Sequence, residues 1–561
     1  MPADAPVADF LSPVEHAVRA SMAIRGIRPS PDELASVHAD PSRLPSLVDT
    51  WLHDPRFGDT IKDLHAEALL LRTDVLDQLP VLGPLESSSV GAIHRATTEA
   101  PLRMVERVVL EDRPYTEIVT ADWVLADPVL ATIYGLPYDP AGPEWQPSRW
   151  SDGRPMAGLL SESELYRRVE SAGSNFHRLR ANYIADTFLC ADFAGRDIAI
   201  DGGIDLTDEA LVAQAVFTNP SCVGCHQALD PLAAFFWGFK VQVKQFGVTK
   251  AYLSDCRDIQ LDTSPYLASQ FCYPLEHWTA SDESGWSEMG LRPPGYYGEP
   301  ATDLSDLGRL MAEDPRFSAC TARRFQGYLG QLDKNDVAFD VAAELQDVLI
   351  ESGFSARELV RHIVLSDRFR RVNGDDVVGL LTVRPEQYAR MLEDWTGWAW
   401  RGIGDPENCA TSRPLVGSIC WGEVDLLRSD RFGFRTLAGG VDGFYNTTPT
   451  HDPTPMRELV LSRVAFEAAG FVVPRDLSEP DPGARRLLTQ VEADTTDEPT
   501  IRAQLADLHV RILGTLAEPD DAAVDASWAL WSDTLAVHGS PTVAWQLTLG
   551  ALLQDPRVMF Y

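Results

Sequence analysis

Three residues within one short segment have the types and spacing needed to hold an iron porphyrin. Cys222, Cys225 and His226 form the pattern Cys-x-x-Cys-His. In this pattern the two thiols add across the vinyl groups of a haem, and the imidazole that follows ligates the iron. The spacing brings both sulfurs to one porphyrin edge and the imidazole over the metal. The sequence therefore predicts one covalent haem c, with His226 as the proximal iron ligand.

Other kinds of site share the Cys-x-x-Cys pattern. A structural zinc site needs a second pair of ligands at similar spacing, and no other cysteines in the chain form such a pair. A thioredoxin-like dithiol lies between a strand and a helix, whereas residues 206–219 before the motif have a helical pattern. Haem attachment is the leading prediction, and a dithiol or metal site and a structural disulfide are its alternatives.

The residues after the motif suggest what surrounds the haem. Phe236 and Trp237 belong to a run of large apolar rings that would cover the porphyrin and raise its potential by excluding water. For the second axial ligand we expect a Met or His roughly forty to seventy residues after the motif. Met289 is the first candidate and His277 the second, with a more distant residue or an open position as the remaining alternative.

Basic residues precede the motif on a segment with a helical pattern. Arg168, Arg178 and Arg180 lie close to His177 in the sequence. Long cationic side chains on a helix commonly extend into solvent, so we interpret them as a solvated face. Pairing with the haem propionates is the alternative interpretation.

Composition limits the class of protein and its partners. The formal charge of −35 argues against nucleic-acid binding, which requires basic patches. The chain contains no run of eighteen apolar residues, so we expect no membrane span. The partner we expect is a redox protein or a neighbouring cytochrome, with homo-oligomeric or hetero-oligomeric assembly left open.

The expected location of the protein follows from the haem. Bacteria attach c-type haem outside the cytoplasmic membrane, yet residues 1–30 lack the continuous apolar segment of a secretion signal. We expect a periplasmic, outer-membrane-associated or extracellular protein whose signal peptide is not present in this chain.

Six cysteines remain after the haem pair is removed, an even number that suits an oxidising compartment. Cys409 and Cys420 enclose one local loop, and Cys256 and Cys272 enclose another. Cys190 and Cys320 would then pair at long range. Buried, reduced cysteines are the alternative.

Periodicity predicts a mainly α protein with irregular, disulfide-closed loops. Apolar residues recur at helical steps in six segments, at 11–25, 64–79, 161–189, 319–328, 341–352 and 356–365. Strand-like alternation is limited to residues 240–248 and 471–473. Residues 251–296 are irregular and aromatic, and we expect them to cap the haem.

A weak internal repeat and turn-rich stretches suggest the domain organisation. Each of three repeated units has a helix, a turn containing Gly26, Gly330 or Gly514, an acidic cap and two further helices. Each unit closes at an aspartate and an arginine, as in Asp54-Pro55-Arg56. We predict five units: an N-terminal helical unit at 1–60, a helical module at 61–200, a haem module at 201–300, a helical end module at 301–372 and a C-terminal helical module at 373–561.

Several segments resemble the planctomycete-type cytochrome C family, whose multi-module secreted proteins also occur in myxobacteria. The resemblance covers residues 112–137, 154–160, 175–190, 222–232 and 303–369, and more loosely the C-terminal third. Where that family usually has Asp-Pro-Leu-Gly, this chain has Asp230-Pro231-Leu232-Ala233. The resemblance implies export, covalent haem and redox function, with Cys222, Cys225 and His226 as the attachment residues.

These observations predict an exported monohaem c-type cytochrome that transfers electrons or serves as the redox partner of an associated enzyme. Two other functions stay open. A haem peroxidase or oxygenase would leave the sixth iron position vacant or weakly held. A surface or assembly protein would use the haem structurally and its helical units as docking faces.

Overall fold

The computed structural model describes residues 10–74, 85, 88–169, 175–195, 204–205, 207–241, 276–372, 379–404 and 422–561. The chain is mainly α, as predicted. The helices α1 to α11 are Pro13–Arg25, Pro31–Ala39, Leu44–Trp51, Pro55–Ala68, Val90–Leu110, Glu117–Thr120, Pro128–Tyr134, Ser163–Arg167, Arg178–Leu189, Glu209–Thr218 and Pro220–Ala234. The helices α12 to α24 are Gly285–Glu288, Leu304–Glu313, Pro315–Gly330, Phe339–Glu351, Ala356–Leu365, Asp367–Arg370, Pro385–Thr396, Phe434–Leu437, Pro455–Ser478, Glu498–Leu508, Ala522–His538, Pro541–Leu553 and Pro556–Met559.

Short strands form two-stranded antiparallel pairs within the described residues. The strands β1 to β8 are Val124–Ala126, Gln146–Ser148, Phe239–Val241, Glu276–Trp278, Gly295–Tyr296, Glu299–Pro300, Arg401–Gly404 and Gly422–Asp425. The pairs are β1–β2, β3–β4, β5–β6 and β7–β8, and in the second pair Phe239 lies opposite Trp278. Every helix of the described part is too short or too polar to span a bilayer.

Local sequence explains where the first helices begin and end. Ser12 and Ser30 cap α1 and α2, and in each case a glutamate three residues later bonds back to the backbone of the cap. Gly26 ends α1 with a φ of 66°, and the Arg390 guanidinium occupies the space where a side chain would begin. Glycine is therefore required at this turn by both conformation and packing.

Three sequence predictions of secondary structure are wrong. The helix predicted at 64–79 ends at Ala68. The helix predicted at 161–189 is two helices, and the backbone leaves helical geometry at Phe176 and His177, which both have positive φ. The strand predicted at 471–473 lies inside α20, because a long helix buried along one side accommodates a short β-branched run. Of the strand predicted at 240–248, residues 240–241 are in β3 and the rest lie outside the described residues.

One continuous core extends from α1 to the C-terminus. Gln387 of α18 donates to the Met22 carbonyl oxygen at 3.0 Å, and Leu381 and Tyr561 exchange two backbone hydrogen bonds. The buried Arg19 donates to the carbonyl oxygen of Phe369 at 2.9 Å. Contacts therefore cross the predicted boundaries, and the five-unit division stays a prediction.

A disulfide joins two helices of this core. Cys190, which ends α9, is bonded to Cys320 of α14, with a Cα–Cα distance of 5.3 Å. This confirms the predicted long-range pair. The predicted pairs Cys409–Cys420 and Cys256–Cys272 lie outside the described residues, as does most of the predicted haem cap at 251–296.

Candidate functional site

The Cys-x-x-Cys-His motif lies in the first half of α11, immediately after α10. Asn219 ends α10 and caps α11, where its side chain accepts a hydrogen bond from the Ser221 N–H at 3.0 Å. Pro220 occupies the first helical position, where a missing N–H costs nothing. This junction starts α11 directly after α10 and places Cys222 in the first turn of α11.

The chemically active side chains follow one stripe of α11. Cys225 and His226 follow Cys222 by three and four residues, and Asp230 follows His226 by four, spacings that make each of these pairs neighbours on a helix. Both thiols are free and partly exposed. Gly224 between them is exposed and has open space where a side chain would project. A flat group could therefore reach both sulfurs from one side.

The His226 imidazole is held through one of its two nitrogens. Nδ1 lies 2.8 Å from Oδ1 of Asp230. Because the lowered pKa of Asp230 keeps this carboxylate ionised, it accepts the hydrogen bond and Nδ1 donates. Within the described residues Nε2 has no hydrogen bond, so a neutral ring presents its lone pair there. Metal-binding histidines are commonly oriented in this way.

Two arginines complete the contacts of Asp230, which is itself buried. Arg178 donates from Nε to Oδ1 at 2.8 Å and from Nη2 to Oδ2 at 3.3 Å. Arg292 donates from Nη1 to Oδ2 at 2.9 Å. Burial alone would raise the pKa of Asp230, but hydrogen bonds from His226 and Arg178 and the charge of Arg178 lower it.

The interpretation of the preceding arginines as a solvated face is wrong. Arg180 is fully buried, and its Nη2 lies 2.9 Å from Oε1 of Glu276. Arg178 bonds to Asp230, and Arg168 donates to the Gly443 carbonyl oxygen. These partners are distant in sequence, so local spacing carried no signal for them. Sequence reasoning therefore missed Arg292 as part of the site, and it named Arg178 only as an alternative partner of the haem propionates and not as a partner of Asp230.

Large apolar side chains are exposed on elements next to the motif. They are Leu179 of α9, Leu211 and Phe217 of α10, and Met289 after α12. Both α9 and α10 pack against α11, and the Arg292 guanidinium lies 4.3 Å from the centre of the Phe217 ring. An exposed apolar surface beside convergent polar groups suits a large apolar ligand with charged substituents.

The two predicted covering rings have different surroundings. Phe236 is fully buried in the core, with its ring centre 5.2 Å from that of Tyr166. Trp237 is half-buried, and its ring centre lies 5.1 Å from that of His177. Trp237 is therefore nearer to solvent than Phe236, and contact of either ring with a haem stays a prediction.

The two predicted sixth ligands lie on different elements. His277 is buried on β4, opposite Lys240 of β3. Met289 follows α12 and is 55% exposed. Arg292 lies three residues after Met289 and donates a hydrogen bond to Asp230. The segment that carries Met289 is therefore anchored to α11. The identity of the sixth ligand stays a prediction.

A zinc site receives no support from the described residues. Within them, no three His, Cys, Asp or Glu side chains converge as a metal-binding group. A structural zinc ion requires four such ligands, whereas a c-type haem requires one or two axial ligands because the porphyrin supplies the other four nitrogens. The motif has a helix on its N-terminal side, as expected from the sequence, rather than the strand that precedes a thioredoxin dithiol.

Polar cavities elsewhere are lined by paired charges. One of about 380 Å³ lies between α4, α5 and the β7–β8 pair. Asp63 in its wall accepts hydrogen bonds from Arg72 and Arg390, whose charges outweigh burial and lower the pKa of Asp63. Such pairing indicates a structural ion-pair network rather than a reactive group.

Comparison of the chain with known protein families, with characterised proteins and with solved structures gave no significant match.

Proposed function

We propose that this protein is an exported monohaem c-type cytochrome that transfers electrons to or from a redox partner protein. The observation that carries the proposal is the stripe on α11, where two free thiols lie beside an imidazole whose Nδ1 is already bonded to a carboxylate. Cys222 and Cys225 would hold the haem covalently, and His226 would ligate the iron through Nε2. When bound, the haem supplies one-electron transfer between ferric and ferrous iron.

The chain's own residues would bind and shield this group. Leu179, Leu211 and Phe217 would offer apolar contact to the porphyrin, and Trp237, which lies beside His177, would help to cover it. Shielding from water stabilises the less charged ferrous state and raises the reduction potential. Part of the haem edge would stay accessible, because the thiols themselves are partly exposed.

Export is supported by a second observation. Disulfides persist mainly in oxidising compartments, and Cys190 and Cys320 form one. A periplasmic, outer-membrane-associated or extracellular protein would meet the conditions both for this bond and for bacterial c-haem attachment.

The His226–Asp230 hydrogen bond also favours a second candidate, a haem peroxidase or oxygenase. A carboxylate partner makes the imidazole a stronger donor to a metal, which stabilises oxidised iron. In such an enzyme the sixth position would be open to exogenous ligands.

One spectroscopic experiment tests the proposed function. The protein would be expressed with an added export signal in a host that matures c-type haem, purified, and titrated electrochemically with visible detection. Electron transfer predicts a reversible one-electron couple and a reduced spectrum that carbon monoxide does not change. Rapid carbon monoxide binding would favour the enzyme, and the lack of a reversible couple would contradict the electron-transfer role.

The sixth ligand is tested in the same preparation. If Met289 ligates the iron, Met289→Ala abolishes the methionine–iron charge-transfer band, while the matched variant His277→Ala retains it. The reverse pattern of spectral changes would assign His277. Unchanged spectra in both variants would place the ligand elsewhere or leave the position open.

A further inference from the structure

We propose that Asp230, Arg178 and Arg292 form a hydrogen-bonded cluster of charged groups, called the unit below, that positions His226 and sets the reduction potential of the iron centre. This inference rests on the proposed function and goes beyond it, because it assigns to three residues outside the Cys-x-x-Cys-His motif the control of the motif's imidazole. All three act through His226 and are therefore positioning residues.

Every acceptor site of the Asp230 carboxylate is occupied. Oδ1 accepts from His226 Nδ1 and Arg178 Nε, and Oδ2 accepts from Arg178 Nη2 and Arg292 Nη1. A carboxylate has about four lone-pair sites, so these four hydrogen bonds fill it. Since the side chain is only 2% exposed, water cannot replace them. The carboxylate is therefore held in one orientation, and its hydrogen bond restrains the position of His226 Nδ1.

The unit joins three separate parts of the chain. Arg178 opens α9, Asp230 lies in α11, and Arg292 precedes β5. Arg292 is itself anchored, since its Nη2 donates to the Val216 carbonyl oxygen of α10 at 3.0 Å. A bond network spread over separate elements holds one side chain more rigidly than a single contact would.

The two arginines oppose the electronic effect of the carboxylate. Asp230 alone would draw the Nδ1 proton, strengthen the imidazole as a donor and stabilise ferric iron. Each cationic donor withdraws charge from the carboxylate and adds a positive charge nearby, which stabilises ferrous iron. Removing the carboxylate and removing an arginine should therefore shift the potential in opposite directions.

Three variants test this prediction in the haem-loaded protein. Asp230→Asn keeps an oxygen acceptor for Nδ1 but loses the charge, and it should raise the potential. Arg292→Gln and Arg178→Gln should lower it. We expect about a tenfold change in the one-electron equilibrium constant, equivalent to about 59 mV. The exposed residues Arg463 and Asp340 provide matched charge controls, and Arg463→Gln and Asp340→Asn should leave the potential unchanged.

A second measurement does not depend on haem. In apoprotein labelled with ¹⁵N-histidine, His226 should be in the Nδ1–H tautomer, and Asp230→Ala should abolish that preference while Asp340→Ala retains it. No tautomer preference in the wild type, or equal potentials in all loaded variants, would overturn the positioning role. Wild-type protein without covalent haem would instead overturn the proposed function and leave the tautomer result standing.

Discussion

Histidines in this chain differ in what their two nitrogens contact. His65 is buried and uses both: Nδ1 lies 2.7 Å from the Ile61 carbonyl oxygen and Nε2 lies 2.6 Å from the Tyr115 hydroxyl oxygen. His226 uses only Nδ1 within the described residues. A ring with both nitrogens engaged is structural, whereas a ring with one nitrogen held and one available can ligate a metal.

The pH dependence of stability tests the structural role of His65. Burial lowers the pKa of His65 to about 4, so the folded protein keeps this ring neutral while the unfolded chain binds a proton below about 6.5. The free energy of unfolding therefore falls as the pH falls from about 6.5 to about 4. In His65→Gln, the decrease measured by urea unfolding between pH 7 and pH 5 should shrink by about 2 kcal/mol.

His538 offers the matched control, because it is exposed. His538→Gln should leave the pH-dependent decrease in stability unchanged. If the free energy of unfolding decreased equally in wild type and His65→Gln, His65 would be protonated to the same extent in the folded and the unfolded state.

The sequence predicts the motif residues of the candidate site better than it predicts the arginines that contact Asp230. Cys222, Cys225 and His226 are recognisable because their chemistry depends on contiguous spacing. Arg178 and Arg292 lie 52 and 62 residues from Asp230, so only the packing of separate elements brings them to it. Arginines with distant partners look like surface residues in a single sequence.

At the scale of elements, the recurrent Asp-Pro-Arg sequence has a local physical cause. In Asp54-Pro55-Arg56 and Asp555-Pro556-Arg557 the aspartate caps a helix and accepts the backbone N–H of the arginine, at 2.9 Å in each case. The arginine side chain also pairs with the capping carboxylate. The same arrangement begins α14 at Asp314. The sequence repeat therefore reflects, at least at these positions, a way of starting helices.

Substitutions at Asp54 separate the cap from the ion pair. Asp54→Ala removes the acceptor for the Arg56 N–H and should lower the free energy of unfolding by about 1 kcal/mol. Asp54→Asn retains a capping oxygen and should cost only a few tenths of a kcal/mol. Urea unfolding at pH 7 measures both. Equal losses in the two variants would mean that the charge, and not the cap, stabilises α4.

Element boundaries show what local periodicity could predict. The helix predicted at 356–365 has the observed bounds of α16, because a cap at Ser355 and an amphipathic pattern agree there. The predicted helix at 161–189 overlooked the Ser-Ala-Gly-Ser run at 171–174, which is a turn signal in the sequence. The strand predicted at 471–473 was too short for a local pattern to outweigh its helical neighbours.

At the scale of the whole molecule, the N-terminal, central and C-terminal helices share one core. Arg28 near the N-terminus donates to the Val558 carbonyl oxygen, and Tyr388 of α18 donates from its hydroxyl to the Leu553 carbonyl oxygen at 3.1 Å. The sequence predicted the helical class from repeated local patterns. It could not predict this long-range packing, since no local pattern specifies which helices meet.

The Cys190–Cys320 disulfide closes a span of 130 residues and should contribute to global stability. Loop-closure entropy predicts that Cys190→Ala/Cys320→Ala lowers the free energy of unfolding by about 2 to 5 kcal/mol. Alanine is chosen instead of serine because Cys320 is buried, and a serine hydroxyl buried there would itself lower the free energy of unfolding. Denaturant unfolding of haem-free protein measures the loss.

Cys222→Ala is the control for this measurement, since it removes a partly exposed free thiol and should change stability by less than about 0.5 kcal/mol. Equal stability of the wild type and the double variant would show that the disulfide does not constrain the chain.

Covalent haem attachment is the central claim, and intact mass measured under denaturing conditions tests it most directly. Protein exported in a host that matures c-type haem should carry the added mass of one haem, because the thioether bonds of Cys222 and Cys225 survive denaturation. Cys222→Ala/Cys225→Ala should lose this mass, and Cys190→Ala/Cys320→Ala should keep it. Wild-type protein with only the polypeptide mass, from cells that mature a control cytochrome c, would contradict the claim.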